Sequence, residues 1–339
     1  MKPKALFDGH PRTVEMLFSA SDLERLKSLV DLTVWAGSQM PADQVEKQLS
    51  DVSVIIGQTA LPRERLERAQ HLKAIINVEG NFPPNINYEY CFEHGIYVLN
   101  GGVAFGTAVA EMALGFALAL ARGIPEGDRL FRKGKEVYGR LSNQASFLLS
   151  GAEVGLIGFG NLGRALRKLL VPFRCRIRVY DPWLPARWLA EFGMTSTSLE
   201  ELLASSQIVF VLAGVMVDNR AMLDQGKLDL MRKGACLVLV SRAVLVDFDA
   251  LTRKLAAGDI RAAVDVFPEE PLAQNHPIRR LDNVILSAHR AGGLTAAYHL
   301  MGEMVVDDLD QILKGLPPIR LQRAERETVI KMRSSQIPH

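Results

Sequence analysis

Cysteine is scarce in this chain: Cys91, Cys175 and Cys236 are the only three among 339 residues, far apart, with no C-x-x-C pair and no histidine cluster nearby. That spacing excludes a disulfide framework and a zinc site, so no metal is expected and the three are read as buried thiols of a reducing compartment. Charge of one sign is also lacking. The 40 Lys and Arg face 38 Asp and Glu, a formal charge of +2 that is too slight to hold a polyanion, so no nucleic-acid partner is expected. The stretch Met1 to His10 contains no apolar run of the length a secretory signal needs, which makes the cytoplasm the expected location. There is no internal repeat or low-complexity tract. Hydrophobic residues at 48% and charged residues at 23% are a globular mixture that excludes a mainly disordered chain, and 339 residues exceed one ordinary core, so two domains are expected.

One segment is long and apolar enough to suggest a membrane span, Val103 to Ala121. Glu111 lies in its middle and Gly106 and Gly115 interrupt it, and a carboxylate at a bilayer centre costs a few kcal/mol. It is therefore expected to be a helix buried all round in a soluble protein, with no membrane partner.

Before it, β-rich runs alternate with helical patterns. Ala5-Leu6-Phe7, Leu32 to Val34, Val52 to Ile56, Ala74 to Val78 and Ile96 to Leu99 read as strands, with a helix capped by Ser21 and Glu24 and another over Arg63 to Ala69. Such alternation argues a parallel sheet with covering helices. The polar stretch Arg122 to Gln144 reads as a surface connection, after which a second series begins. Its strands are expected at Val154–Ile157, Ile177–Tyr180, Ile208–Leu212, Cys236–Val240, Ala262–Val266 and Val284–Leu286, with a capping box at Ser198 to Glu201 opening one intervening helix. An amphipathic helix over Leu294 to Leu313 and a charged tail close the chain.

The sharpest motif is Gly158-Phe159-Gly160-Asn161-Leu162-Gly163, after an apolar strand and at the opening of a helix. Gly158 permits the tight turn, Gly160 lets backbone approach a pyrophosphate, and Gly163 lets helix pack on strand; the phosphates rest on helix amides. The next strand ends at Asp181, where a carboxylate can accept from the adenosine ribose and repel a 2′-phosphate. Pro182-Trp183 supplies no replacement cation, so NAD is expected rather than NADP.

Ligands of open parallel sheets bind beyond the carboxyl ends of the strands. Ser241-Arg242 follow one strand, Asp265 ends another that leads into Phe267-Pro268-Glu269-Glu270-Pro271, and Ser287-Ala288-His289-Arg290 follow a third. Hydride transfer to a carbonyl needs a proton donor that works near neutral pH, a cation for an anionic substrate and a partner for the acid. A histidine, an arginine and the carboxylates meet those needs.

At these residues the chain resembles the D-isomer-specific 2-hydroxyacid dehydrogenases. The likeness spans most of its length: Ile96 to Asn100, Val109-Ala110-Glu111, the glycine motif, Ser241-Arg242, Asp265-Val266-Phe267 with Glu270-Pro271-Leu272, and His289 with Gly292-Gly293. The resemblance implies Arg242, Glu270 and His289 as catalytic residues, with Glu270 fixing the tautomer of His289. It implies Asp265 beside the nicotinamide carboxamide, with Ser241 and Gly292 also at the cofactor. Amides of Val78, Glu79, Gly80 and Asn81 are implied to hold the substrate carboxylate together with Arg242. The implied fold is α/β, two Rossmann-like or flavodoxin-like domains with parallel sheets. The dinucleotide domain, 118–298, is inserted in a discontinuous substrate domain made of 1–117 plus 299–339. A homodimer formed through the nucleotide domain, using the long apolar helix, is also implied.

Departures from the family pattern are Arg242-Ala243 in place of Arg-Gly, Arg290 where an apolar residue is usual, and Ala213-Gly214-Val215 in place of a proline. Phosphoglycerate enzymes carry basic residues in an early loop that here reads Ile56 to Pro62, without a cation, and formate dehydrogenases have glutamine in place of Glu270. The expected activity is NAD-dependent interconversion of a small 2-keto acid of the glyoxylate or hydroxypyruvate type and its D-2-hydroxy acid. The alternatives are D-3-phosphoglycerate dehydrogenase activity and an NAD(H)-sensing binding protein of the same fold.

Overall fold

The computed structural model describes residues 2–331, which divide into two compact units: residues 2–105, 216–218 and 293–331, and residues 106–215 with 219–292. The boundaries fall at 105/106 and 292/293 rather than at the expected 117/118 and 298/299. The apolar helix is the reason. A one-turn 3-10 segment, Gly102–Phe105, precedes an α-helix, Gly106–Arg122, whose packing partners are the helix Asn161–Leu170 and the second unit's sheet. An ideal Cβ on Gly106 would sit 3.6 Å from Ala165, so that helix belongs to the second unit from its first residue. The last part of the expected substrate domain, 332–339, lies outside the described residues.

In the first unit five parallel strands, β1 (Lys4–Asp8), β2 (Asp31–Val34), β3 (Val52–Gly57), β4 (Ala74–Asn77) and β5 (Tyr97–Asn100), lie in the order β5-β4-β3-β1-β2. Val54, Ile55 and Ile56 are wholly buried because helices cover both faces. The second unit holds β6 (Glu153–Ile157), β7 (Arg176–Tyr180), β8 (Thr195–Ser196), β9 (Ile208–Val211), β10 (Cys236–Leu239), β11 (Arg261–Val264) and β12 (Val284–Leu286), ordered β12-β11-β10-β9-β6-β7-β8. That order reverses between β6 and β9, the switch point at which dinucleotides bind in doubly wound sheets. A last strand, β13 (Gln322–Arg323), pairs antiparallel with β5, so the first sheet is only mostly parallel. The wholly buried Asp308 accepts the N–H groups of Ile319, Arg320 and Leu321 at 2.7–3.2 Å and turns the chain toward β13. The C-terminal helix, Thr295–Leu313, packs Met301, Val305, Val306 and Leu309 into the core that holds Ala5, Phe7 and Val54.

Several local expectations change. Ser19, not Ser21, caps the helix Ala20–Leu29, accepting from the Asp22 N–H at 3.1 Å and bonding its carboxylate at 2.6 Å. Ser198 caps its helix as expected, yet the Glu201 side chain bonds the Thr197 hydroxyl rather than the Ser198 amide, leaving half a capping box. The helix Gly106–Arg122 is not buried all round, since Thr107, Glu111 and Gly115 form an outward stripe at helical spacing. By length and composition alone, the segment Gly102–Arg122 could cross a membrane. The expected connection after it holds a further helix, Ile124–Arg132. Cys91 and Cys236 are buried, which pushes their thiols up to about 12 and about 11, so neither is a thiolate at neutral pH; Cys175 is only half-buried.

Candidate active site

The glycine turn follows β6. Gly158 has a φ of +91°, and an ideal Cβ on it would lie 2.6 Å from the Ala213 Cα that follows β9. A side chain is excluded there twice, by conformation and by space. A Cβ on Gly163 would meet the Gly158 carbonyl oxygen at 2.8 Å, so that glycine permits the helix Asn161–Leu170 to pack against the turn. Gly160 differs: nothing of the chain lies within 4 Å of where its Cβ would be. The protein itself has no steric need for glycine at 160, whereas a pyrophosphate laid on the amides of Asn161 and Leu162, the first residues of that helix, does.

Asp181, which follows β7, accepts the Phe159 N–H at 2.9 Å on one oxygen and the Trp183 N–H at 3.0 Å on the other. It thereby ties the end of the second strand to the glycine turn, and its carboxylate keeps further acceptor capacity for ribose hydroxyls. These residues fit NAD. Asp181→Ala is expected to narrow the preference for NADH over NADPH by about tenfold, read as the ratio of kcat/KM values; an unaltered ratio would mean that another group reads the ribose.

Three adjacent strands, β10, β11 and β12, deliver the remaining residues to one edge. Ser241 and Arg242 follow β10, and Arg242 is extended and half-buried, its Nη1 donating to the Ser241 carbonyl at 2.7 Å. Glu270 follows β11; its Oε1 accepts the Phe267 N–H at 2.9 Å and its Oε2 lies 2.7 Å from His289 Nδ1. A carboxylate only accepts, so Nδ1 carries the hydrogen and Nε2 is the nitrogen left to face a ligand. The His289 side chain is 35% exposed, enough for a small molecule to reach it.

His289 sits at φ +51°, a conformation rarely adopted by a residue with a side chain and one that costs of order 1–3 kcal/mol. Asp265 holds it there. Wholly buried, Asp265 accepts the His289 N–H on its carbonyl oxygen at 2.7 Å, the Arg290 N–H on Oδ1 at 2.9 Å and the Ala291 N–H on Oδ2 at 3.0 Å. Both carboxylate oxygens are thus engaged by backbone. Asp265 thereby clamps the turn that presents His289. The hydroxyls of Ser241 and Ser287, at the ends of β10 and β12, are buried without a hydrogen-bond partner. Such orphaned groups in a native site call for a ligand or water. Gly292 closes the second unit, half-buried, just beyond the clamped turn.

In the first unit, Val78, Glu79, Gly80 and Asn81 follow β4. Val78 is buried and the Glu79 N–H is already given to Asn77 Oδ1 at 2.6 Å, so Glu79 has no amide to offer, contrary to expectation. Gly80 is exposed and an added Cβ would make only ordinary contact, 3.5 Å from Gly102. Among the described residues no cluster of His, Cys, Asp or Glu suits a metal ion.

Residues 114–291 match the family model of the D-isomer specific 2-hydroxyacid dehydrogenase, NAD binding domain. Glyoxylate reductase of Thermofilum pendens is 32% identical over 324 residues, 92% of this chain and 93% of its own. D-3-phosphoglycerate dehydrogenase of Methanocaldococcus jannaschii is 32% identical over 268 residues, 78% of this chain but 50% of its own. The crystal structure of a phosphoglycerate oxidoreductase from Rhizobium etli superposes with a TM-score of 0.87 at 44% identity, covering 97% of this chain and 100% of that one. Together with the dinucleotide turn and the histidine–glutamate pair, these likenesses show that the chain belongs to the D-isomer-specific 2-hydroxyacid dehydrogenase family and is an NAD-dependent oxidoreductase.

Proposed function

We propose that the protein interconverts a small, unphosphorylated 2-keto acid, of the glyoxylate or hydroxypyruvate type, and its D-2-hydroxy acid. The observation that carries this reading is the 2.7 Å pair of His289 Nδ1 and Glu270, which leaves Nε2 for the substrate oxygen. NAD(H), when bound, supplies or takes up the hydride. Gly158, Gly160, Asn161, Leu162, Gly163 and Asp181 hold its phosphates and ribose, with Ser241 and Gly292 lining the same edge and Asp265 acting through the turn it clamps.

In the reducing direction the doubly protonated His289 donates its Nε2 proton to the carbonyl oxygen and keeps Nδ1–H on Glu270. In the oxidising direction Nε2 takes the hydroxyl proton back. Glu270 stabilises the imidazolium and fixes its orientation. Arg242 grips carboxylate and carbonyl oxygens with a planar fork that lysine cannot reproduce. The amides of Gly80 and Asn81 contribute to holding the other carboxylate oxygen. The absence of a cation over Ile56 to Pro62 supports an unphosphorylated substrate.

An NADH-oxidation screen over glyoxylate, hydroxypyruvate, pyruvate, phenylpyruvate and 3-phosphohydroxypyruvate tests this. The highest kcat/KM is expected for glyoxylate or hydroxypyruvate. NADH binding without turnover of any of them would support the cofactor-sensing alternative instead.

We also propose a homodimer. The segment from Ile124 leaves Ile124, Phe131, Tyr138, Leu141 and Leu148 each more than half exposed, a concentration of large apolar side chains that a second copy would cover, together with the outward stripe Thr107, Glu111 and Gly115. In sedimentation the wild type is expected as a dimer, and Phe131→Asp with Tyr138→Asp should weaken it by about 100-fold or more. A monomeric wild type would overturn the assignment. The unpaired thiols fit the reducing cytoplasm.

A further inference from the structure

A carboxylate stands in the loop proposed to receive the substrate's own carboxylate. Glu79 follows β4, and Arg12 follows β1. Both strands run parallel to β3 between them, so the two residues lie at the same carboxyl edge of the first sheet. Arg12 Nη2 donates to Glu79 Oε2 at 3.4 Å, and Nε approaches Oε1 to 3.0 Å without the alignment of a hydrogen bond, so that these two atoms are buried and poorly satisfied. The side chains are 19% and 18% exposed. The guanidinium lies 5.0 Å from the Tyr298 ring centroid, and Tyr298 in turn packs edge-on against Phe105. Behind the pair, Asn77 is 1% exposed, holds the Glu79 amide with Oδ1 and leaves its Nδ2 without a partner.

A half-buried ion pair with imperfect geometry contributes little to stability, and apolar residues of similar volume would serve the fold as well. Its position gives it a consequence instead. An unpaired Glu79 would repel every 2-keto acid, and an unpaired Arg12 would attract anions indiscriminately. Low exposure keeps either effect from being screened as a surface charge is.

We infer that Arg12 and Glu79 form a charge-balanced specificity pair, in which Arg12 makes a carboxylate tolerable in the substrate loop and Glu79 rejects substrates that carry a second anionic group. The inference rests on the reading that the loop from Val78 to Asn81 receives the substrate. It deepens that reading by giving a residue-level cause for preferring a monoanionic 2-keto acid to a phosphorylated one.

The test is a charge series. The ratio of kcat/KM for 3-phosphohydroxypyruvate to that for hydroxypyruvate is measured with NADH at low and high salt in the wild type, Arg12→Gln, Glu79→Gln and the double variant. Thermal unfolding and NADH binding show that each variant is folded. Glu79→Gln keeps the backbone bond to Asn77 and should raise the ratio about fivefold or more. Arg12→Gln should lower it by a similar factor and raise KM for both substrates. The double variant should return the ratio to within about twofold of wild type, and all differences should shrink at high salt. A purely structural pair would not order the ratio by charge. A ratio that is flat across folded variants, while hydroxypyruvate is still turned over, overturns the inference and leaves the dehydrogenase reading intact. A wild type that turns over neither acid overturns both.

Discussion

Replacing His289 with alanine should lower kcat by about 10²- to 10⁴-fold while NADH binding persists, the usual scale for removing a general acid or base. The size of the effect follows from the absence of a substitute. Nε2 is the one ring nitrogen not engaged by Glu270, and the neighbouring Arg290 cannot give up a proton near neutral pH. Because His289 lies at φ +51°, alanine also adds backbone strain, so His289→Asn is the cleaner comparison: asparagine tolerates the left-handed region but cannot transfer the proton. Both variants should lose turnover alike and bind NADH alike in fluorescence titration. Turnover near wild type in either would remove His289 from the chemistry.

The second large effect is expected at a residue that touches no proton in flight. Asp265→Asn replaces one of two acceptor oxygens by an NH₂ group facing a backbone N–H of Arg290 or Ala291, in a site with no water-exposed escape. Hydrogen bonds to a charged group are worth about 1.5–3 kcal/mol, and a buried donor left facing a donor costs a similar amount. The expected loss is about 2–4 kcal/mol, or a Tm lower by roughly 5–10 °C for a unit of this size. The turn carrying His289 should then relax from its strained conformation, and kcat should fall about tenfold or more through lost alignment. Calorimetry and steady-state kinetics read the two effects separately. A variant with unchanged Tm and kcat would show that the clamp does not hold the histidine.

The glycine turn was legible because everything it needs is local. Gly158, Gly160 and Gly163 answer a tight turn, an open approach and a close packing within six residues, and Asp181 follows at the end of the next strand. The Asp265 clamp was not legible, since it joins residues 25 and 26 apart and exists only because β11 and β12 are neighbours. The same holds for Arg12 and Glu79, which are 67 residues apart. The cap at Ser19 was missed by two residues because Ser19 and Ser21 offer the same chemistry, and only the backbone conformation decides which of them leaves the helix. The short strand β13 was missed because two residues carry no periodicity; Asp308 and the β5 edge create it.

Sequence alone determined the α/β class, the glycine turn with its acidic partner, and which strands end in arginine, glutamate and histidine. These are properties of neighbouring residues, and short-range sterics and hydrophobic period write them directly into the order of the chain. Tertiary structure decided that the helix Gly106–Arg122 belongs wholly to the second unit, that Asp265 clamps a turn, and that the Glu79 amide is already taken. Those outcomes depend on which buried donors find acceptors and which apolar faces find each other once strands distant in sequence lie side by side, a competition that no single segment can settle.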